Sequence, residues 1–442
     1  MKSLLHRLQK VKIPLHFFLI FLLFNFIFIV LFAGLVRHVV KGGPLKNTFL
    51  GEVAYEIAST THNTKKIFKG GDFSLHEGKH KDKPLGFSFF SKDSGSLKGY
   101  ILFPKYFLNE NRAKVQLIRI KDQIILYQWN PDVDEINSKS KINRNLINLE
   151  RDFNKNRYQF QHPILLEEGG LVFHSFSPLV RVDKCSNLVW QVDEYFHHSI
   201  EQDHENNIWS PTRKIPGKFS ELSEQYEDDE ITKVQLSDGK IIFQKSVTEI
   251  LVENNMRDLV TNAFVGISPI HLNDIQPVLE DTKFWKRGDV FLSLRDLSMV
   301  MLYRPSTNKV IWYKLGPWRH QHDVDIINNS TIGIFDNNVS LKQDTSKTRI
   351  VYYDFETNEI TYPYKKLLEK HKINSKTEGL FSRLGNDDIF INETRHSRLI
   401  RGNKAGEIKW QYIWDAQIFW TRFLNNEKFQ PIVSKLANSQ CK

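Results

Sequence analysis

The segment PWRHQHDVDI, Pro317 to Ile326, concentrates more reactive side chains than its surroundings. His320 and His322 flank Gln321, and Asp323 and Asp325 follow. Imidazoles two residues apart on a strand share one face and can chelate a metal. A neutral imidazole is also a competent nucleophile near pH 7. Residue types alone therefore permit a metal clamp, a nucleophile or a structural pair. A His-x-His metal site needs a further Glu or His nearby on the sheet, and none follows at suitable spacing, so no metal is expected here. The stretch HEGKH, His76 to His80, matches the zinc-protease pattern literally. That chemistry needs a helix to turn both imidazoles the same way. The internal Gly and the flanking KGGDFSL and KDKPLG are loop composition instead.

The elements that must position these histidines recur along the chain. Six segments alternate apolar residues, pass through a polar turn and close on a second apolar strand: Val115–Trp129, Leu179–Trp190, Val234–Gln244, Val300–Trp312, Ile350–Tyr364 and Leu399–Trp410. Each reads as a β-hairpin. Their starts lie about 50 to 65 residues apart, room for four strands and their loops. A hairpin that cannot bury its own face, repeated at that period, predicts an all-β chain: a six-bladed β-propeller with minor helical insertions. A large β-sandwich is the plainer alternative. Ser246–Val260 departs from the pattern, since its Val, Ile, Leu and Met recur at helical spacing.

A propeller brings the first strand of every blade to one axis, so a blade position recurs around a channel. Aligning FHHSIEQDHENNIW (Phe196–Trp209) with HQHDVDIINNSTIGIF (His320–Phe335) pairs His198 with His322. HLNDIQP (His271–Pro277) places His271 in the same role. His197 and His320, beside these candidates, read as structural residues turned away from the axis. Asp228–Glu230 reads as a solvated turn.

The chain ahead of the repeats is of another kind. His16–Val36 is a nearly unbroken apolar run, long enough to cross a bilayer as one helix. No convincing cleavage site follows it, which favours an uncleaved signal anchor over a cleaved leader. Lys2, Arg7, Lys10 and Lys12 precede the run and Arg37, Lys41 and Lys46 follow it. The slight excess of charge ahead favours a cytoplasmic N-terminus. The expected organisation is a cytoplasmic segment 1–15, a transmembrane anchor 16–36, a linker and N-terminal extracytoplasmic region 37–98, and a propeller domain 99–442 outside the cytoplasm. The 442 residues include 32 Phe and 9 Trp, which argues against disorder. The formal charge of +10 suits anionic ligands, but there is no long Lys/Arg tract, and nucleic acid is not an expected partner. Cys185 and Cys441 rule out a Cys-rich zinc module and permit one bridge outside the cytosol.

Several of these segments carry a resemblance to a known family. FHHSIEQDHENNIW, the block HLNDIQP with DVFLSLRDLSMVMLYRPSTNKVIWYKLG, and QHDVDIINNSTIGIFDNN resemble the bacterial aryl sulfotransferases that use no adenosine-phosphosulfate donor. The similarity runs from about Gly99 to Trp410. It implies that His322 is the nucleophile, that His198, His271 and Arg295 hold the sulfuryl group, and that Asn273 is a neighbouring substrate-binding residue. It also implies a phenolic sulfate donor, a phenol acceptor, no cofactor, and a periplasmic propeller of a kind sometimes found as a homodimer. The competing expectation is a non-catalytic membrane-anchored propeller that binds an anionic ligand in the same channel.

Overall fold

The computed structural model describes residues 14–40, 45, 48–60 apart from 52, 56 and 59, and 80–442 apart from 81, 92, 144–153, 216, 220–225, 263–267, 340–346, 386, 417, 440 and 442. The chain divides into two compact units, Met1–Leu75 and His76–Lys442. In the first, Leu15–Val40 forms one helix, long and apolar enough to cross a membrane. It contains the whole expected span 16–36. Most of the segment 1–15 and His76 of HEGKH lie outside the described residues; His80 sits on a turn.

The second unit is a six-bladed β-propeller with few helices. Strand β1 (Gly86–Phe89) precedes the first blade, which takes β2 (Tyr100–Phe107), β3 (Arg112–Arg119) and β4 (Ile125–Trp129). Blade two is β5 (Gln161–Leu165), β6 (Leu171–His174), β7 (Leu179–Val182) and β8 (Leu188–Val192). Blade three is β9 (Tyr195–Phe196), β10 (Glu201–Gln202), β11 (Ile208–Lys214), β12 (Asp228–Val234) and β13 (Ile241–Ser246). Blade four is β14 (Leu272–Pro277), β15 (Val290–Leu294), β16 (Met299–Arg304) and β17 (Lys309–Leu315). Blade five is β18 (Val324–Ile326), β19 (Thr331–Asp336), β20 (Arg349–Asp354) and β21 (Ile360–Thr361). Blade six is β22 (Leu380–Arg383), β23 (Asp388–Glu393), β24 (Arg398–Asn403) and β25 (Ile408–Ile413), and β26 (Arg422–Leu424) follows it. The six hairpins read from the sequence are the last two strands of the six blades.

A local device fixes several of the hairpins. Tyr303 and Tyr353 each donate a hydroxyl hydrogen bond at 2.8 Å to the side chain of an asparagine five residues on, Asn308 and Asn358. Tyr106 does the same to Asn111. Each asparagine has φ between 50° and 60°, a left-handed conformation that Asn tolerates better than most residues. The tight turn is thus built into the spacing of two residues.

Packing is a ring of layers between blades. Trp209 and Ile231 of blade three meet Leu272, Ile275, Leu292 and Met301 of blade four. Phe291 and Leu302 of blade four then meet Ile332, Ile334 and Val351 of blade five. Each fully buried side chain of this size contributes roughly 1.5–3 kcal/mol. The expected helical stretch 246–260 is two short helices, Val247–Glu253 and Arg257–Thr261, packed into the layer between blades three and four. Within Asp281–Gly288, Trp285 is buried among Phe291 and Phe355. Asp228–Glu230, expected as a solvated turn, opens β12 and is buried. The correction has a plain cause: the acids are paired with Arg213, Ser246 and His197 across neighbouring strands, which a linear reading cannot see.

The ring closes with strands from both ends of the unit. β26 pairs with β2 as the innermost strand of blade one, and β1 pairs with β25 at the outer edge of blade six. β1 lies in the stretch assigned above to the region ahead of the propeller. After β26, the helix Asn426–Ala437 leads to Cys441, which is bonded to Cys185 in the turn between β7 and β8, 256 residues earlier. A cross-link over so long a loop removes much unfolded-state entropy. Cys185→Ser or Cys441→Ser should therefore lower unfolding free energy by about 2–5 kcal/mol. Guanidinium unfolding of the full chain, with and without a reductant, measures it; an unchanged midpoint would contradict it.

Candidate active site

The inner strands enter the axis in a repeated way. His162, His198, His271 and His320 stand just ahead of or at the start of the inner strands of blades two to five, with φ of 42°, 59°, 53° and 52°. Glu378 holds the corresponding place ahead of β22, with φ of 61°. This corrects the repeat alignment given above. The backbone position shared with His198 and His271 belongs to His320, and His322 lies two residues further along. Register was assigned from imidazoles, whereas the left-handed backbone sets the true repeat.

The three histidines meet nonetheless. The His198 ring lies 5.1 Å from that of His271 and 6.2 Å from that of His322, centroid to centroid. All three retain partial exposure although protein surrounds them, as in a recess open at one end. Burial holds His198 and His271 well below the usual histidine range; neighbouring histidines add to this for His198, and Arg295 opposes Asp229 at His271.

His322 is held at both nitrogens. Its Nδ1 lies 2.7 Å from Asn337 Oδ1. The Asn337 amide donates through Nδ2 to the carbonyls of Ser375 at 2.9 Å and Glu378 at 2.8 Å. That orientation leaves Oδ1 as the acceptor and assigns the His322 proton to Nδ1. Nε2, carrying the lone pair, accepts a 3.1 Å hydrogen bond from the Glu378 backbone N–H. Burial lowers the His322 pKa to about 3, the Asn337 hydrogen bond opposes this, and Arg295 adds to it. The ring is therefore neutral, with one defined tautomer.

Arg295 is positioned through its backbone, whose N–H donates to the His271 carbonyl at 3.0 Å. Its Nη1 pairs with Asp296 at 2.8 Å. The guanidinium acts electrostatically on His271, His320 and His322, placing it beside the cluster. Among the described residues, Asn273 makes no hydrogen bond to an imidazole. Its Nδ2 donates to the Gln321 carbonyl at 2.7 Å, between His320 and His322, and its Oδ1 is buried without a partner. His197 is not turned away from the cluster: it sits 3.2 Å from buried Asp229, and its Nδ1 lies 2.7 Å from His198 Nδ1. His320 is half-buried and feels Arg295, so it belongs to the rim of the cluster.

Asn337, Glu378 and Asp229 escaped the sequence reading. Asn337 lies within the quoted segment Gln321–Asn338, but only the pairing of His322 N–H with the Phe335 carbonyl brings it opposite the ring. Glu378 comes from the next blade, and no local signal marks it. Among the described residues, no group of three His, Cys, Asp or Glu side chains has the geometry to hold a metal.

Residues 162–415 match the family model described as Arylsulfotransferase (ASST). No curated protein matches the chain. Among solved structures it is similar to a protein of unknown function from Bacteroides caccae, at 10% identity and TM-score 0.47, over 74% of this chain and 99% of that one. It is similar also to virginiamycin B lyase from Staphylococcus aureus, at 9% identity and TM-score 0.39, over 76% and 89%. TolB from Acinetobacter baumannii aligns at 8% identity and TM-score 0.41, over 85% and 73%. Likenesses at these TM-scores carry no argument about chemistry.

The folded pKa of His322 lies below that of a free histidine, so its contribution to stability is complete above about pH 6.5 and is lost as pH falls toward about 3. Nitrogen-15 spectra of histidine-labelled protein should show His322 neutral and Nδ1-protonated from about pH 7 to about pH 5. Asn337→Leu should scramble the tautomer while leaving the ring neutral, because burial outweighs the lost hydrogen bond. Titration of His322 near 6.5 in the folded protein would contradict this.

Proposed function

The chain belongs to the arylsulfotransferase family, and on that premise we propose that it moves a sulfuryl group from a phenolic sulfate ester to a phenol by ping-pong through His322. The observation that carries this reading is the convergence of His198, His271 and His322 around a neutral His322 whose tautomer Asn337 fixes. Sulfuryl transfer spreads charge over the equatorial oxygens and depends on in-line placement and electrostatic stabilisation, as phosphoryl transfer does.

His322 Nε2 attacks sulfur in line with the departing phenolate oxygen. The Nδ1–H stays on Asn337, which stabilises the imidazolium character that develops as the N–S bond forms. Attack requires Nε2 to give up the Glu378 N–H, and that amide is then free to meet a sulfuryl oxygen. Arg295 offers parallel N–H donors to two oxygens, a fit that a lysine point charge lacks. The neutral His198 and His271 each supply one N–H. Asn273 acts chiefly by bracing the Gln321 carbonyl, and so the approach of His322, with its Oδ1 left for the substrate. A second phenol then collects the group from sulfo-His322, and no cofactor is involved.

The helix Leu15–Val40 serves as a single-pass anchor with the propeller outside the cytoplasm. The Cys185–Cys441 bond supports that placement, because structural disulfides persist in oxidising compartments. The rival reading, a non-catalytic anion-binding channel, predicts that His322 keeps its Glu378 contact with ligand bound.

Incubation with a nitrophenyl sulfate and an alkaline quench should leave one sulfuryl group on His322, detected by mass spectrometry. His322→Ala should abolish both the adduct and turnover. Arg295→Lys should retain the adduct but lower kcat/KM by about 10²–10³-fold. Stoichiometric binding of the aryl sulfate without adduct or turnover would favour the anion-binding module.

A further inference from the structure

Transfer between two phenols also moves a proton. The acceptor loses one and the departing phenolate gains one, and none of the histidines above carries it. His322 keeps its Nδ1–H for Asn337 and needs Nε2 bare, while His198 and His271 are required as hydrogen-bond donors.

The turn that touches His322 holds a group suited to the task. Glu378 presents its backbone N–H to His322 Nε2 at 3.1 Å and its carbonyl to Asn337 at 2.8 Å. Its left-handed backbone, with φ of 61°, turns the chain sharply ahead of β22. In its side chain, Oε1 lies 3.4 Å from Arg395 Nε, and Oε2 is enclosed without a hydrogen-bond partner. An orphaned carboxyl oxygen in a buried setting is costly unless a proton or a ligand completes it. The side chain as a whole remains 21% exposed.

We propose that Glu378 is the proton carrier of the transfer reaction, a role that rests on the sulfotransferase reading above. In the first half-reaction the S–O bond breaks as the Nε2–S bond forms, and the carboxylic acid of Glu378 protonates the departing phenolate oxygen. In the second, the Glu378 carboxylate takes the acceptor phenol's proton as its oxygen attacks sulfur. The Nε2–S bond breaks and its electron pair returns to Nε2. Over the cycle one proton passes from acceptor to leaving phenol, and Glu378 ends as it began. The charged group facing the carboxyl is Arg395, which favours the carboxylate, while the Glu378 backbone N–H touches the neutral His322. Burial raises the carboxyl above the usual carboxylate range and Arg395 opposes this.

The leaving group provides the test. Glu378→Gln keeps the backbone contacts to His322 and Asn337 and removes only the exchangeable proton. With unactivated phenyl sulfate it should lower the rate of His322 sulfation by 10²-fold or more. With an electron-poor nitrophenyl sulfate, whose phenolate leaves unaided, the loss should stay within about five-fold. The wild-type rate with phenyl sulfate should fall as pH rises through the Glu378 titration, and that limb should vanish in Glu378→Gln and return in Glu378→Asp. Equal loss on both donors, or an unchanged pH limb, would overturn the carrier role and leave sulfotransfer through His322 standing. If wild-type protein forms no sulfo-His322 with either donor, both proposals fall together.

Discussion

Blades four, five and six each take a carboxylate from the blade before them. Asp229 of blade three accepts the Leu272 N–H of blade four at 2.9 Å, and Asp274 of blade four accepts the Val324 N–H of blade five at 2.9 Å. Asp323 then accepts the Phe381 N–H of blade six at 3.0 Å. A buried backbone N–H without an acceptor is costly, and the start of an inner strand has no neighbour on its axial side. The carboxylates fill that gap, so the places where inner strands approach the axis are fixed relative to one another. Because the histidine cluster draws on blades three, four and five, its geometry is a by-product of the same stitches.

These acids are not equivalent. Burial pushes Asp274 and Asp323 well above the usual carboxylate range, while Arg213 and His197 hold Asp229 below it against the same burial. Among the described residues, Asp229 alone of the three forms an ion pair, with Arg213, while Arg422 acts on Asp323 from further away. Its ties to His197 and to the strand that follows His271 make it the strongest link between the scaffold and the imidazoles. The result is a recess whose histidines are neutral because they are enclosed, with Arg295 as the cation beside them. Such a site can receive an anion without first losing a proton.

Much of the architecture was legible in one dimension. Period-two alternation located all six outer hairpins, and their repeat distance implied the blade count. The Tyr-to-Asn spacing that closes several turns is local and could have been read as well. The inner strands were harder. β10 and β18 have two and three residues, too short to show a period, and they are tied to other blades, β18 through Asp274 of blade four and β10 through Arg422 of β26. Asp228–Glu230 was misread for a related reason: three acids in a row look solvated until Arg213, His197 and Ser246 arrive from other segments.

His198, His271, Arg295 and His322 were named from their own segments, and folding brings the three imidazoles together with Arg295 acting electrostatically beside them. What the chain determined by itself is the kind of fold and the chemical types at its axis, because alternation, turn residues and histidine placement are short-range properties. Only the tertiary structure decided which nitrogen of His322 bears the proton, that Asn337 and Glu378 hold it, and that His320 rather than His322 occupies the repeated left-handed position. Those outcomes depend on hydrogen bonds between strands and blades tens of residues apart, and no local pattern encodes their register.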